Sequence, residues 1–344
     1  MLKVGIIGAS GYTGAELIRV LANHPNVEIS VITSRQYAGK PLGDCYPGLS
    51  HLNLTFDRSE DEAGLGKAEL YFTALPHKAA MDAAAKIIAA GAKVVDLSAD
   101  FRLSDKAVYE AHYGPHGYPE LLAEAVYGLA EVNRDAIAKA RLVANPGCYP
   151  TSALLPLIPL VKKGLISTEG IIIDAKSGVS GAGREATETT HFCGADESVK
   201  AYKIASHRHT PEIEEHLGKA AGREVQLVFT PHLMPMKRGM LSTIYCTPDG
   251  GVGRAEVEAA WREAYEGSPF VSLAHGETLP DTALVAGTNR CVMAVRADRR
   301  CGRLILLRVI DKLAKGASTQ AIQNMNIMCG WDERMGLPLE PLFP

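Results

Sequence analysis

The first thirty-odd residues of the chain leave few folds open. Lys3-Val4-Gly5-Ile6-Ile7 reads as a short buried strand, and Gly8-Ala9-Ser10-Gly11-Tyr12-Thr13-Gly14 follows it directly. Leu17, Ile18, Leu21 and Ala22 then recur at helical spacing until Pro25, and Val27 to Thr33 reads as a second strand. Strand, tight glycine turn, helix and strand within about 30 residues is the opening of a parallel βαβ unit. The spacing Gly8-x-x-Gly11-x-x-Gly14 differs from G-x-G-x-x-G, but the physics is shared. Glycines let the backbone turn sharply and approach a pyrophosphate, and the helix N-terminus offers N–H groups and a positive dipole. The turn therefore predicts a dinucleotide site formed by Gly8, Ser10, Gly11, Tyr12, Thr13 and Gly14. The bland alternative is a glycine turn that serves only helix–sheet packing.

The second strand bears on which dinucleotide. It ends Ile32-Thr33-Ser34-Arg35, with Lys40 shortly after and no acid where a ribose-binding carboxylate would sit. The hydroxyl of Ser34 and the guanidinium of Arg35 suit a 2′-phosphate, which predicts NADP(H) rather than NAD(H). An Arg35 that is merely a solvated surface residue is the alternative.

The alternation continues. Strands are expected at Ala68 to Ala74, Lys93 to Leu97 and Arg141 to Asn145, with an alanine-rich helix at Ala79 to Ala90. After Cys148 the pattern changes. Ile171 to Ala175, Val225 to Thr230, Leu241 to Cys246, Cys291 to Arg296 and Leu304 to Val309 read as strands joined by glycine-rich or polar connections. Helices are fewer, at Pro211 to Ala220, Arg254 to Tyr265 and Ser318 to Met328. The expected fold is an α/β Rossmann-type dinucleotide-binding domain plus an α+β catalytic and dimerisation domain with a mixed, largely antiparallel sheet. The expected domains are residues 1–147 plus 315–344, and residues 148–314.

Composition narrows the function. A chain of 344 residues suits two domains, and 47% hydrophobic with 22% charged residues excludes wholesale disorder. The 36 basic and 39 acidic residues leave a net charge of −3, which gives no electrostatic case for nucleic acid or an anionic membrane. No apolar run approaches the ~20 residues of a membrane span, and the first residues do not resemble a signal peptide. A cytoplasmic enzyme is the expectation. The seven cysteines are scattered, odd in number and without a C-x-x-C pair, so they form neither a disulfide framework nor a zinc ribbon.

One cysteine stands apart. In Asn145-Pro146-Gly147-Cys148-Tyr149-Pro150-Thr151 a strand ends, Pro-Gly turns the chain, and Cys148 sits where a helix should begin, with Pro150 suited to its first turn. A thiol at a helix N-terminus is a nucleophile candidate. Pro156 and Pro159 lie inside the expected helix and predict that it is kinked or short. An acid–base partner is offered by His207-Arg208-His209-Thr210-Pro211-Glu212. On an extended segment the two imidazoles would share one face, one exchanging protons and the other binding substrate. A metal is not expected, because no suitable third ligand lies nearby. Ser177-Gly178-Val179-Ser180-Gly181-Ala182-Gly183-Arg184 follows a strand and reads as a phosphate nest, or else as a flexible loop. Arg102, beyond the Lys93 strand, could clamp a carboxylate or phosphate, or pair with Asp100 or Asp105.

A nicotinamide cofactor, a nucleophilic cysteine and a histidine together suit redox chemistry at an acyl carbon through a thioester. At this point the sequence resembles the N-acetyl-gamma-glutamyl-phosphate reductases of the semialdehyde dehydrogenase superfamily, along almost its whole length. The resemblance rests on Gly8 to Gly14, Asp96-Leu97-Ser98-Ala99-Asp100-Phe101-Arg102, Asn145 to Thr151, Ser177 to Gly183, His207 to Glu212 and Pro231-His232-Leu233-Met234-Pro235. Ser152 departs from the family, where Gly or Ala is usual. The resemblance implies Cys148 as covalent nucleophile and His209 as acid–base group, with His207 the rival for that role. It implies that His207, Arg102, Ser177 and Ser180 hold substrate, and that Ser98, Gly178 and Asn324 or Asn326 join the cofactor site. It implies an acyl phosphate or semialdehyde and phosphate as small-molecule partners, and a homo-dimer or homo-tetramer. Other readings are a carrier-bound aminoadipyl phosphate reductase, an aspartate-semialdehyde dehydrogenase and a non-catalytic NADP-binding sensor.

Overall fold

The structure is a computed structural model that describes residues 1–58 and 66–342. The described chain divides into two compact units: Met1–Gly147 with Ala317–Pro338, and Cys148–Gly316 with the tail from Leu339 onward. The sequence expectation assigns 315–344 to the first unit, whereas residues 315 and 316 belong to the second. Residues 339–342 also go with the second unit, where Leu342 N donates to Ala286 O at 3.0 Å; residues 343 and 344 lie outside the described residues.

The first unit is built on strands β1 (Leu2–Ile7), β2 (Val27–Thr33), β3 (Phe56–Asp57), β4 (Leu70–Thr73), β5 (Lys93–Asp96), β6 (Val126–Tyr127) and β7 (Leu142–Ala144). Their order is β3-β2-β1-β4-β5-β7-β6 and every pairing is parallel. Parallel strands lie between helices, so they carry apolar runs rather than alternation. Leu70–Thr73 and Leu142–Ala144 are accordingly buried at every position. Strand order reverses between β1 and β4, and the glycine turn leaves β1 at that reversal, where doubly wound sheets bind ligands. The late helix Thr319–Met328 packs against the helices Tyr12–Leu21 and Ala130–Ile137. All ten of its residues are buried.

The second unit carries β8 (Ile171–Gly178), β9 (Lys200–Ala201), β10 (Leu227–Met234), β11 (Met240–Cys246), β12 (Val271–Leu273), β13 (Cys291–Asp298) and β14 (Arg303–Ile310). The order is β12-β13-β14-β11-β8-β10-β9, with β8–β10 and β12–β13 parallel and the other pairs antiparallel. Strict alternation of buried and half-buried positions along Met240–Cys246 shows one covered face and one open face. Ile172 and Val228 are exposed on the uncovered side.

The helix Cys148–Lys162 covers the buried face. It is fifteen residues long and runs through both Pro156 and Pro159, so the expected short helix is not what forms. The reason is tertiary. A proline at 159 removes the donor for the carbonyl four residues earlier, Leu155 O, and that oxygen accepts from Tyr265 Oη instead. Trp261 Nε1 donates to Pro156 O at 2.9 Å.

Candidate active site

In the first unit the three glycines of the opening turn have three different reasons to be glycine. Gly8 has φ +87°, and a Cβ there would lie 2.6 Å from Ala74 O. A Cβ on Gly14 would lie 2.5 Å from Ala9 Cα, so this glycine lets the helix pack against the turn that leads into it. Gly11 is neither strained nor crowded: the nearest atom to a Cβ would be Gly8 O at 3.8 Å. Among the described residues no packing requires glycine at 11, whereas a close-approaching pyrophosphate would. No side chain caps the helix that starts at Tyr12, and no acidic residue occupies its first turn. The residues present therefore fit a dinucleotide.

The other expected cofactor residues are placed differently. Ser34 is buried, with its hydroxyl 2.8 Å from Ser10 Oγ and accepting from Tyr37 N at 3.2 Å, so it braces the turn from behind. Arg35 is exposed. Tyr46, which the sequence did not single out, donates to Ser10 O at 2.8 Å and ties a distant loop to the turn. Ser98 is buried and donates to Asp96 Oδ2 at 2.6 Å. Asp96 itself is fully buried; burial, with the charge of Asp100 second, pushes its carboxyl up to about 6. Arg102 is also buried. Its Nε donates to Asn145 O and its Nη2 to Leu97 O, each at 2.8 Å, so it braces two strand ends. Asn324 has no exposed surface, and its amide donates to Gly128 O at 2.9 Å and Asn145 Oδ1 at 3.1 Å. It supports the Asn145-Pro146-Gly147 turn, and its Oδ1 is buried without a hydrogen-bond partner among the described residues. Asn326 is buried as well, bound to His24 at 3.0 Å.

In the second unit Cys148 is the first residue of its helix and is partly exposed, while Tyr149 beside it is buried. Among the other cysteines, Cys45, Cys246 and Cys291 are buried, and burial pushes the Cys246 thiol up to about 12. Cys193 and Cys301 are exposed.

His207 and His209 do meet Tyr149, but not by the expected geometry. The segment is a turn, with His209 in the helical region of backbone space, and His209 N donates to His207 Nδ1 at 3.1 Å. The two rings lie 4.9 Å apart and sit edge-on to Tyr149 at 5.4 and 5.8 Å. Phe229 and Tyr202 complete the cluster, Tyr202 Oη lying 2.9 Å from Tyr149 Oη. Burial, and then the cations Lys203, Lys312 and Arg208, push His207 down to about 4, so it is a neutral imidazole at neutral pH. Its Nδ1 accepts, which leaves the proton on Nε2.

The Ser177–Gly183 loop does not form the expected nest. Gly178 N donates to Gly239 O, Val179 N to Met236 O and Ser180 N to Lys237 O, at 3.0 to 3.1 Å. These amides are spent on the neighbouring turn, so they cannot cradle a phosphate. Ser177 is fully buried; it accepts from Lys312 Nζ at 2.5 Å and donates to Gly178 O at 3.0 Å. Gly178 is packed so closely that a Cβ would lie 2.8 Å from Lys237 C and O. Ser180 Oγ is buried without a hydrogen-bond partner. Tyr149, Tyr202, Phe229 and Lys312 were not foreseen. Only Tyr149 carried a signal, as the neighbour of Cys148. Among the described residues no group of three or more His, Cys, Asp or Glu could hold a metal ion, and no helix is long and apolar enough to cross a membrane.

Comparison with known proteins agrees with this layout. Residues 3–140 match the semialdehyde dehydrogenase, NAD binding domain family, and residues 148–312 match the semialdehyde dehydrogenase, dimerisation domain family. The chain is 52% identical over 345 residues to an N-acetyl-gamma-glutamyl-phosphate reductase of Syntrophobacter fumaroxidans, covering 100% of both chains. It is 51% identical to one of Desulforudis audaxviator, again over 100% of each. Among solved structures, aspartate semialdehyde dehydrogenase II of Vibrio cholerae superposes with a TM-score of 0.71 at 17% identity, covering 96% of this chain and 98% of that one. The Candida albicans aspartate semialdehyde dehydrogenase with NADP gives 0.70 at 16% identity, over 96% and 99%. The fold is thus shared with the aspartate enzymes, but full-length identity near one half places this chain in the semialdehyde dehydrogenase family as one of its N-acetyl-gamma-glutamyl-phosphate reductases.

Proposed function

We propose that the chain catalyses the NADPH-dependent reduction of N-acetyl-glutamyl 5-phosphate to N-acetyl-glutamate 5-semialdehyde and phosphate, a step of arginine biosynthesis, through a thioester on Cys148. The observation that carries the residue assignment is a partly exposed thiol at the start of a buried helix, beside a tyrosine that both His207 and His209 touch. Full-length relatives of the same name at about half identity support the substrate.

The chemistry follows from the groups present. Cys148 sulfur attacks the acyl carbon, the carbon–oxygen bond to phosphate breaks, and phosphate leaves with the bonding pair. NADPH, when bound, supplies the hydride that reduces the resulting thioester. Collapse of the thiohemiacetal returns the sulfur and releases the aldehyde. His209 is the acid–base group in this reading, because its neighbour His207 is held neutral and spends Nδ1 on the His209 backbone. His207 keeps Nε2–H as a donor for substrate. Gly8 to Gly14 holds the pyrophosphate, and exposed Arg35 meets the 2′-phosphate that distinguishes NADP(H). Arg102, Ser177, Ser98, Gly178 and Asn324 support the two sites from within, as their burial and bonds suggest, while Ser180 offers its unpartnered hydroxyl to substrate.

The open face of the second sheet, with exposed Ile172 and Val228, is where we place the contact between copies in a homo-dimer or homo-tetramer. Seven free thiols suit the reducing cytoplasm. The deciding experiment is a panel in the reverse direction. N-acetyl-glutamate semialdehyde, glutamate semialdehyde and aspartate semialdehyde are each assayed with phosphate and NADP. NADP reduction is expected with the first, and a preference for either of the others overturns the assignment.

A further inference from the structure

Lys312 stands two residues past β14 and is only 6% exposed. It gives two of its N–H groups to neutral acceptors, Ser177 Oγ at 2.5 Å and Gly178 O at 3.2 Å. Among the described residues no carboxylate pairs with it, and its third donor has no protein acceptor. Asp311 next door is committed elsewhere: its Oδ2 accepts from Arg238 Nε at 2.6 Å and Gly287 N at 2.7 Å, and its Oδ1 from Leu313 N at 2.9 Å. A buried ammonium without a counter-ion is costly.

What surrounds the ammonium identifies its partner. Nζ lies 5.6 Å from the centre of the Tyr149 ring, and Tyr149 follows Cys148 in the chain. Four residues after Lys312, Gly316 passes so close to Cys148 that a Cβ on it would lie 3.0 Å from the cysteine Cβ. Burial lowers the lysine pKa, and Cys148 is the charge that opposes this. The glycine-rich loop is shaped to admit the cation: a Cβ on Gly181 would fall 1.9 Å from Nζ. A loop whose sequence suggests an anion cradle thus holds a lysine.

We propose that Lys312 is an electrostatic positioning residue that draws anionic reactants to Cys148, specifically the phosphate end of an acyl phosphate and, in reverse, inorganic phosphate. The phosphate assignment rests on the reductase reading; the anion attraction itself does not. A buried ammonium over the ring of Tyr149, the residue that follows the thiol, lowers the energy of an approaching anion and leaves a neutral molecule unaffected.

The test compares two alkylating reagents on the full chain. Iodoacetate is anionic and iodoacetamide neutral, and both need the thiolate, so the ratio of their rates cancels the thiolate fraction. The rate at Cys148 is read by mass spectrometry of its peptide. The native iodoacetate-to-iodoacetamide ratio is expected to exceed that of N-acetylcysteine. It should fall about fivefold in Lys312→Met and be largely retained in Lys312→Arg. In semialdehyde oxidation, Lys312→Met should raise the KM for phosphate while leaving the KM for NADP unchanged. Lys312→Gln serves as the neutral variant if methionine does not fold. An unchanged ratio in a folded neutral variant, or a native ratio no higher than that of the free thiol, overturns the proposal. Wild-type turnover of the acyl phosphate is measured separately, so failure of the inference and failure of the reductase reading give different results.

Discussion

Two glycine-rich turns leave the ends of strands in this molecule. They look alike in sequence and differ in what they do with their backbone. Gly8 to Gly14 follows β1, has no side chain capping its helix, and contains at Gly11 a glycine that no described residue crowds. Ser177 to Gly183 ends β8, but its amides at 178, 179 and 180 are bonded to carbonyls of residues 236–239, and its glycines fit around Lys237 and Lys312. Glycine after a strand thus signals close approach, and the hydrogen bonds of the turn tell whether a ligand or the protein is what approaches.

The largest expected effect isolates the chemistry from both turns. Cys148→Ser should lower phosphate-dependent NADP reduction by about a thousandfold or more while NADPH still binds, as read by steady-state kinetics and nucleotide fluorescence. Next come the glycines themselves. Gly178→Ala sets a Cβ 2.8 Å from Lys237 backbone and should cost about 2 kcal/mol, lowering the Tm more than it changes NADPH affinity. Gly11→Ala should leave the Tm unchanged and weaken NADPH about tenfold. If both variants lose stability alone, the contrast between the turns fails.

The two units should also differ in pH response. Asp96 in the first unit has its carboxyl raised from 3.8 to about 6, so the folded chain holds a proton there that the unfolded chain has lost. That contribution is complete below about pH 4 and is lost as pH rises through 6, by about 3 kcal/mol. His207 in the second unit, depressed from 6.5 to about 4, works in the opposite sense: its contribution is present above pH 6.5 and is lost as pH falls to 4. Urea unfolding from pH 4 to 7 should show Asp96→Asn flattening the first trend and leaving the second. The smallest effect sharpens the first turn. Arg35→Ala should weaken NADPH about tenfold and NADH less than twofold. Equal losses in direct titration remove the 2′-phosphate role.

Much of the fold is legible because its long elements have a period. The strand Val27–Thr33 is read to the residue, and Met240–Cys246 alternates cleanly. Phe56–Asp57, Val126–Tyr127, Lys200–Ala201 and Val271–Leu273 escape notice because two or three residues cannot display a period. The helix from Cys148 runs on through its prolines because Tyr265, more than a hundred residues away, donates to the carbonyl that Pro159 leaves unbonded, a partner no local pattern reveals.

By itself the chain order of residues determined the strand–turn–helix opening, the alternation that makes a parallel sheet, and the placement of one cysteine at the head of a helix. Those are local facts, set by backbone preferences and spacing. It took the packed molecule to make Arg102, Ser34 and Asn324 internal braces, to bind the amides of the Ser177 loop, and to bring Lys312 over the Tyr149 ring. Burial and hydrogen-bond partnership depend on residues remote in the chain, and no local pattern encodes which of them arrives.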